Sequence, residues 1–242
     1  MIRAFLLNFP TVLNSNNQNV ANMKTKLNST RALAAAVLLF TGLTVLQAQT
    51  LKVDPNLDKK VKEFLDTHAR QWYDMNIPES DGKLLYDIII KNNYKSALEI
   101  GTSTGHSGIW IAWALSKTGG RLITIDIDRD RNGQALKNFK EAGLSDYIDA
   151  RLAHAHELVP KLEGPFDFVF SDADKDWYRN YFLAVDPKLT IGGCYTSHNV
   201  SDGYGRRGNP DYLAFLRGLS NYETTVNTAG GGVAISYKRS AK

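Results

Sequence analysis

The chain has one cysteine in 242 residues, Cys194. That excludes an internal disulfide and any cysteine-based zinc cluster. Cys194 sits in an apolar run and reads most simply as a small buried hydrophobe. Proline is scarce, at seven, and the 19 glycines follow no collagen-like period. With 43% hydrophobic and 22% charged residues, the composition also excludes a disordered chain and a coiled coil. Acidic residues are missing from the first 48 positions, where the only charges are Arg3, Lys24, Lys26 and Arg31. The remainder carries 25 basic and 25 acidic side chains, so the whole +4 net charge resides in the N-terminal segment. The pI of 9.0 therefore does not point to a polyanion, and no nucleic-acid partner is expected.

Long apolar runs are also lacking. A bilayer-spanning helix needs roughly 20 such residues. The most apolar stretch, Ala32 to Leu46, has 15 and is interrupted by Thr41, Gly42 and Thr44. It follows Met23-Lys24-Thr25-Lys26 and Arg31, and it leads to Leu46-Gln47-Ala48. A basic region, a short apolar region and a small residue at the end form the pattern of a signal peptide. Residues 1–48 are therefore expected to be an N-terminal extension with a signal peptide or an uncleaved membrane anchor, starting at Met23. Residues 49–242 are expected to form a single domain. The segment implies export or membrane anchoring, and a cytoplasmic location if it is not a working signal. Membrane contact is expected only through this segment.

Beyond residue 50, short apolar runs alternate with longer amphipathic stretches. The runs are Ser96–Ile100, Leu122–Ile127, Tyr147–Leu152, Phe166–Phe170 and Cys194–Ser197. Between them lie candidate helices at Ser107–Ser116, Arg131–Ala142, His156–Leu162 and Trp177–Leu189, with two more ahead at Asn56–Tyr73 and Asp81–Asn92. This alternation predicts an α/β, doubly wound, mostly parallel sheet. The end of the chain departs from it. A helix at Pro210–Leu219 precedes two β-prone runs, Tyr222–Thr228 and Val233–Lys238, separated by Ala229-Gly230-Gly231-Gly232. These predict a C-terminal antiparallel hairpin, giving a seven-stranded, Rossmann-like sheet.

In such a sheet ligands bind beyond the carboxyl ends of the strands. The first strand runs into Glu99-Ile100-Gly101-Thr102-Ser103-Thr104-Gly105, a glycine turn spaced G-x-x-x-G and not the dinucleotide G-x-G-x-x-G. The second ends in Asp126, 25 residues after Gly101, where an acid can accept hydrogen bonds from a ribose diol. The fourth ends Ser171-Asp172-Ala173-Asp174-Lys175. Lys175 is a general base there if its pKa is lowered. The fifth ends Ser197-His198-Asn199, which a parallel sheet brings beside Asp172 on one metal or one substrate. The loop at 200–208, with Tyr204, Arg206 and Arg207, suits a substrate lid. Trp72 and Tyr73 are candidates for an aromatic wall or for core. His154 and His156 have no partner at metal-binding spacing and are read as non-metal.

Together, Glu99-Ile100-Gly101-x-x-x-Gly105-x-Ser107, Asp126-Ile127-Asp128, Asp172-Ala173-Asp174-Lys175-Asp176 and Asn199 resemble the small S-adenosylmethionine-dependent O-methyltransferases of the caffeoyl-CoA and catechol type. The resemblance runs from Met75 to Lys238. It implies that Glu99, Gly101, Thr102 and Ser107 hold the methionine part of S-adenosylmethionine. It implies that Asp126 takes the ribose hydroxyls, that Ala155 lies by the adenine and that Asp174 approaches the cofactor. Asp172 and Asn199 would bind a divalent metal, and Lys175 would be the base at the hydroxyl of a small, aromatic acceptor. The resemblance also admits a homodimer.

One position departs from the pattern. The family's metal-binding pair is Asp-Asn, and here it is His198-Asn199. Imidazole suits zinc, iron or nickel, whereas magnesium and calcium prefer oxygen. Three readings stay open: a softer metal on Asp172, His198 and Asn199, a weakly held one, or none, with His198 as a catalytic base. The changed pair and the export signal also leave an alternative of another class, an exported small-molecule-binding protein without chemistry. S-adenosylmethionine is made in the cytoplasm, so an exported enzyme has no obvious supply.

Overall fold

In the computed structural model, residues 50–73, 75–203 and 209–242 are described. The expected signal segment and the lid residues Tyr204, Arg206 and Arg207 lie outside them. Thr50–Lys242 clusters as one compact unit. None of its described helices is long and apolar enough to cross a membrane.

Among the described residues, seven strands form one sheet: β1 Ser96–Ile100, β2 Arg121–Asp126, β3 Ile148–Leu152, β4 Phe166–Ser171, β5 Leu189–His198, β6 Tyr222–Asn227 and β7 Val233–Lys238. Their order is β3-β2-β1-β4-β5-β7-β6. The first five pair in parallel, and β7 pairs antiparallel with both β5 and β6. The expected doubly wound sheet with a C-terminal hairpin is therefore present. The chain winds outward from β1 to β3, then returns to place β4 on the other side of β1. The crevice for a ligand opens at that reversal, between the carboxyl ends of β1 and β4.

Among the described residues, seven α-helices flank the sheet: α1 Pro55–His68, α2 Glu79–Asn92, α3 His106–Thr118, α4 Arg129–Ala142, α5 Ala155–Leu158, α6 Tyr178–Val185 and α7 Pro210–Arg217. The core divides by sheet face. Phe168 and Phe170 of β4 pack with α1 to α4, while Leu98 and Ile100 of β1 pack with α6 and α7. That division follows from the alternation of side chains along a strand. α3 is buried along nearly its whole length because α1 and α2 cover it from outside.

Local chemistry explains where elements differ from expectation. Asp128 accepts from the Asp130 and Arg131 amides, so α4 starts at Arg129 and not Arg131. Pro160 confines the expected 156–162 helix to one turn of α5 and a 3-10 turn at Val159–Lys161. Likewise α6 ends at Val185, and Pro187 lies in a 3-10 turn that leads into β5. β5 starts at Leu189, five residues before the expected Cys194. Gly192 and Gly193 in its first half read as loop in sequence, because glycine is depleted in strands.

Candidate active site

The turn after β1 is drawn onto its neighbours by backbone bonds. The Gly101 and Thr102 amides donate to the Ile125 carbonyl at 2.9 and 3.2 Å. Gly101 has φ of 104°, and a Cβ there would lie 3.0 Å from the Asp172 backbone. Only glycine combines that left-handed backbone with so close an approach of the β1 and β4 turns. Asp126 is fixed by two amides: Ser103 N–H donates to Oδ2 at 2.7 Å and Asp128 N–H to Oδ1 at 2.8 Å. Each carboxylate oxygen keeps capacity for a further donor.

A cavity of about 670 Å³ opens above these turns. Gly101, Ser107, Asp126, Ala155, Asp174 and Lys175 line it, and Asp172 lies on its wall as well. These seven are residues that the sequence nominates from four separate strand ends. Three further wall residues carry roles that sequence reasoning missed. His156 stacks on Trp177 with ring centroids 4.0 Å apart and its Nε2 is 2.8 Å from Asp174 Oδ2. His154 and Arg131 also reach the wall, and Arg131 donates to Ser103 Oγ at 3.2 Å. The single sequence signal for the histidines is their place just after β3.

Of the residues nominated for cofactor, metal or catalysis, four do not line this cavity: Glu99, Thr102, Asn199 and His198. Glu99 and Thr102 are buried beneath the turn. The Thr124 hydroxyl lies 2.5 Å from both Thr102 Oγ1 and Glu99 Oε2. Burial pushes the Glu99 carboxyl up to about 8, against the lowering effect of hydrogen bonds from Ser107 and Thr124. Its Oε1 is buried with no hydrogen-bond partner. An unpartnered carboxyl oxygen next to Ser107, a wall residue, fits the ammonium of an amino-acid ligand, whose charge would favour the ionised form. Asn199, at φ 53°, turns its amide towards the Gly231 carbonyl at 3.4 Å. Trp72 belongs elsewhere: it stacks on His106 and walls a second cavity of about 550 Å³ with Tyr86 and Trp110.

The fourth, His198, ends β5 and is only 4% exposed. Its Nδ1 is 3.1 Å from Asp172 Oδ2, and its Nε2 is 3.0 Å from Asp81 Oδ2. Asp81 comes from the first turn of α2 and is 1% exposed. Sequence reasoning did not nominate it. The Gly231 amide also donates to Asp81 Oδ2, at 2.6 Å. The glycine turn between β6 and β7 thus closes over the pair, and a Cβ on Gly231 would collide with His198 Nε2. On the other side Lys175 Nζ donates to Asp172 Oδ1 at 3.1 Å and approaches the Tyr178 hydroxyl at 3.4 Å. Burial alone would lower the His198 pKa, but the bonds to Asp172 and Asp81 outweigh it and raise it to about 9.

These residues do not fit a divalent ion. A metal needs a ring lone pair, yet each ring nitrogen faces a carboxylate that only accepts hydrogen bonds. The imidazole also stands between the two carboxylates, so they do not converge on one point. Among the described residues, no group of three or more His, Cys, Asp and Glu is arranged to hold a metal.

A family model described as O-methyltransferase matches residues 49–201. A catechol O-methyltransferase of Niastella koreensis is 39% identical over 112 residues, covering 45% of this chain and 50% of that protein. Caffeoyl-CoA O-methyltransferase 1 of Eucalyptus globulus is 31% identical over 154 residues, covering 62% of this chain and 61% of that one. The chain thus spans half to about six-tenths of the length of these curated relatives. Among solved structures, the O-methyltransferase TomG from Streptomyces achromogenes, in complex with SAM, superposes with a TM-score of 0.62 at 24% identity, covering 85% of this chain and 96% of that one. An O-methyltransferase from Bacillus cereus in complex with SAH gives 0.64 at 22%, covering 85% and 97%. At those identities the likeness concerns the fold. The family match itself spans the β1 turn, the β2 acid and the Asp172 to Asn199 cluster, and the chain belongs to the O-methyltransferase family.

Proposed function

We propose that the protein transfers a methyl group from S-adenosylmethionine to a hydroxyl of a small, aromatic acceptor. The observation that carries this reading is one cavity with two unlike ends. At one end Asp126 is anchored by amides and keeps acceptor capacity for a ribose diol. At the other end Lys175 and Asp172 form a proton-handling pair.

Glu99, Gly101 and Ser107 would hold the amino-acid part of the cofactor, and Asp126 its ribose. Ala155 and the stacked His156–Trp177 pair would wall the adenine. When bound, the cofactor supplies a methyl group already activated by the sulfonium charge, so the protein's task is mainly alignment. A phenolic hydroxyl has a pKa near 10, as for tyrosine, and needs a base. Lys175, as the free amine, would take that proton onto Nζ, and Asp172 would hold the ammonium that results; the bound cofactor would supply the methyl, its carbon–sulfur bond breaking as the acceptor oxygen bonds to the methyl carbon. The binding-only alternative finds no support in the comparisons.

Residues 1–48 would serve to target or anchor this domain, which mass spectrometry of the mature N-terminus in each cell fraction tests. Calorimetric titration of the protein with S-adenosylmethionine tests the functional reading. One saturable site is expected; no binding at millimolar cofactor would defeat it.

A further inference from the structure

We infer that His198, as an imidazolium clamped between Asp81 and Asp172, is a resident cation that stands in for a divalent metal. The site then works with none. This rests on the methyl-transfer reading of the cavity, but its geometry and its test are independent of turnover.

The donors and acceptors around the ring fix its charge. Asp81 and Asp172 face opposite nitrogens of one ring at 3.0 and 3.1 Å. Ionised carboxylates only accept, so both nitrogens donate, and a ring that donates twice carries a positive charge. The Gly231 amide at Asp81 Oδ2 favours the ionised carboxylate further. Asp81 Oδ1 is buried without a hydrogen-bond partner, so the ring is the counter-charge that Asp81 has. Among the described residues, Phe170 lies 6.0 Å from the ring by centroids, and Tyr178 donates to the His198 carbonyl.

Charge balance gives the same answer. Two carboxylates face one imidazolium and, through Asp172, one ammonium on Lys175. The cluster is neutral as built. An aspartate at position 198 would leave it two charges short, which is the charge of a divalent ion. His198 therefore replaces both the missing carboxylate and its metal. It also leaves His198 no lone pair with which to act as a base. To act as a base Lys175 must first give its resting proton to water; the cluster then carries one net negative charge, which draws the acceptor's proton onto Nζ. Asp81 is thus a positioning residue that acts through His198.

Two measurements on the full protein test this. The first titrates it with manganese and follows bound ion by paramagnetic resonance. No saturable binding at millimolar manganese is expected, whereas His198→Asp gains affinity by about tenfold or more. The second reads nitrogen-15 shifts of the His198 ring at neutral pH. Both nitrogens are expected to be protonated, and Asp81→Asn to move the ring towards the neutral form. Stoichiometric manganese binding by the unaltered protein, lost in Asp172→Asn, would overturn the inference. So would a neutral His198 ring, whether or not the His198→Asp protein folds. Neither readout uses methyl transfer, so failure here is distinct from failure of the proposed reaction.

Discussion

His198 and Asp81 are 117 residues apart in the chain and 3.0 Å apart in the fold, both almost fully buried. Removing one member of a buried ion pair costs about 3–5 kcal/mol, because the other charge is left uncompensated. Asp81→Ala is therefore expected to lower unfolding free energy by that amount at neutral pH, and Asp81→Asn by less. Urea denaturation of the two variants checks both values.

The same pair sets a pH dependence. The His198 pKa is raised from an ordinary 6.5 to about 9 in the fold. Its contribution to stability is fully present below pH 6.5 and is lost as pH rises through about 9. Denaturation midpoints are expected to fall across that window, and the fall to flatten in Asp81→Asn.

Glu99 makes a separable contribution. Burial holds its protonated form, so ionising it becomes a rising cost from its ordinary 4.5 through about 8. Glu99→Gln removes that cost. Its stability gain over the unaltered protein is expected to be small at pH 6 and to grow towards pH 9. S-adenosylmethionine affinity should move the other way, falling in the variant at high pH, where an ionised Glu99 would meet the cofactor's ammonium. Parallel denaturation and calorimetry decide both signs.

Asp126→Ala is expected to lose cofactor affinity by about one to two powers of ten. Hydrogen bonds to a charged acceptor contribute about 1.5–3 kcal/mol. The variant also frees the Ser103 and Asp128 amides that shape the turn. Calorimetric Kd values give the comparison.

Gly231→Ala is expected to cost about 1–3 kcal/mol, since its Cβ would overlap the His198 ring and the turn must shift. Gly133→Ala in α4 is the control. Its Cβ would meet nothing within 4 Å, and replacing a helical glycine gains roughly 0.5–1 kcal/mol.

The sheet is legible in the sequence because each buried strand is a short apolar run bounded by polar or glycine turns. The cavity is legible because a parallel sheet gathers strand ends, which places Gly101, Asp126 and Asp172 together without knowledge of their contacts; Ala155 is legible only through the family resemblance. Asp81 is not. An acid in the first turn of a helix is favourable on its own account, so nothing local marks it as the partner of His198. The glycines at 230–232 read correctly as a hairpin turn, yet their approach to His198 depends on β7 lying beside β5. Thr102 looks like a cavity residue by position, but its hydroxyl is drawn beneath the turn by Thr124.

Methyl transfer itself is the most direct test. The full protein would be mixed with S-adenosylmethionine carrying a labelled methyl group, a panel of small hydroxylated aromatics and excess chelator. A labelled methyl ether is expected on at least one acceptor, formed in step with S-adenosylhomocysteine and undiminished by the chelator. Saturable cofactor binding with no transfer to any hydroxyl would contradict the proposed reaction.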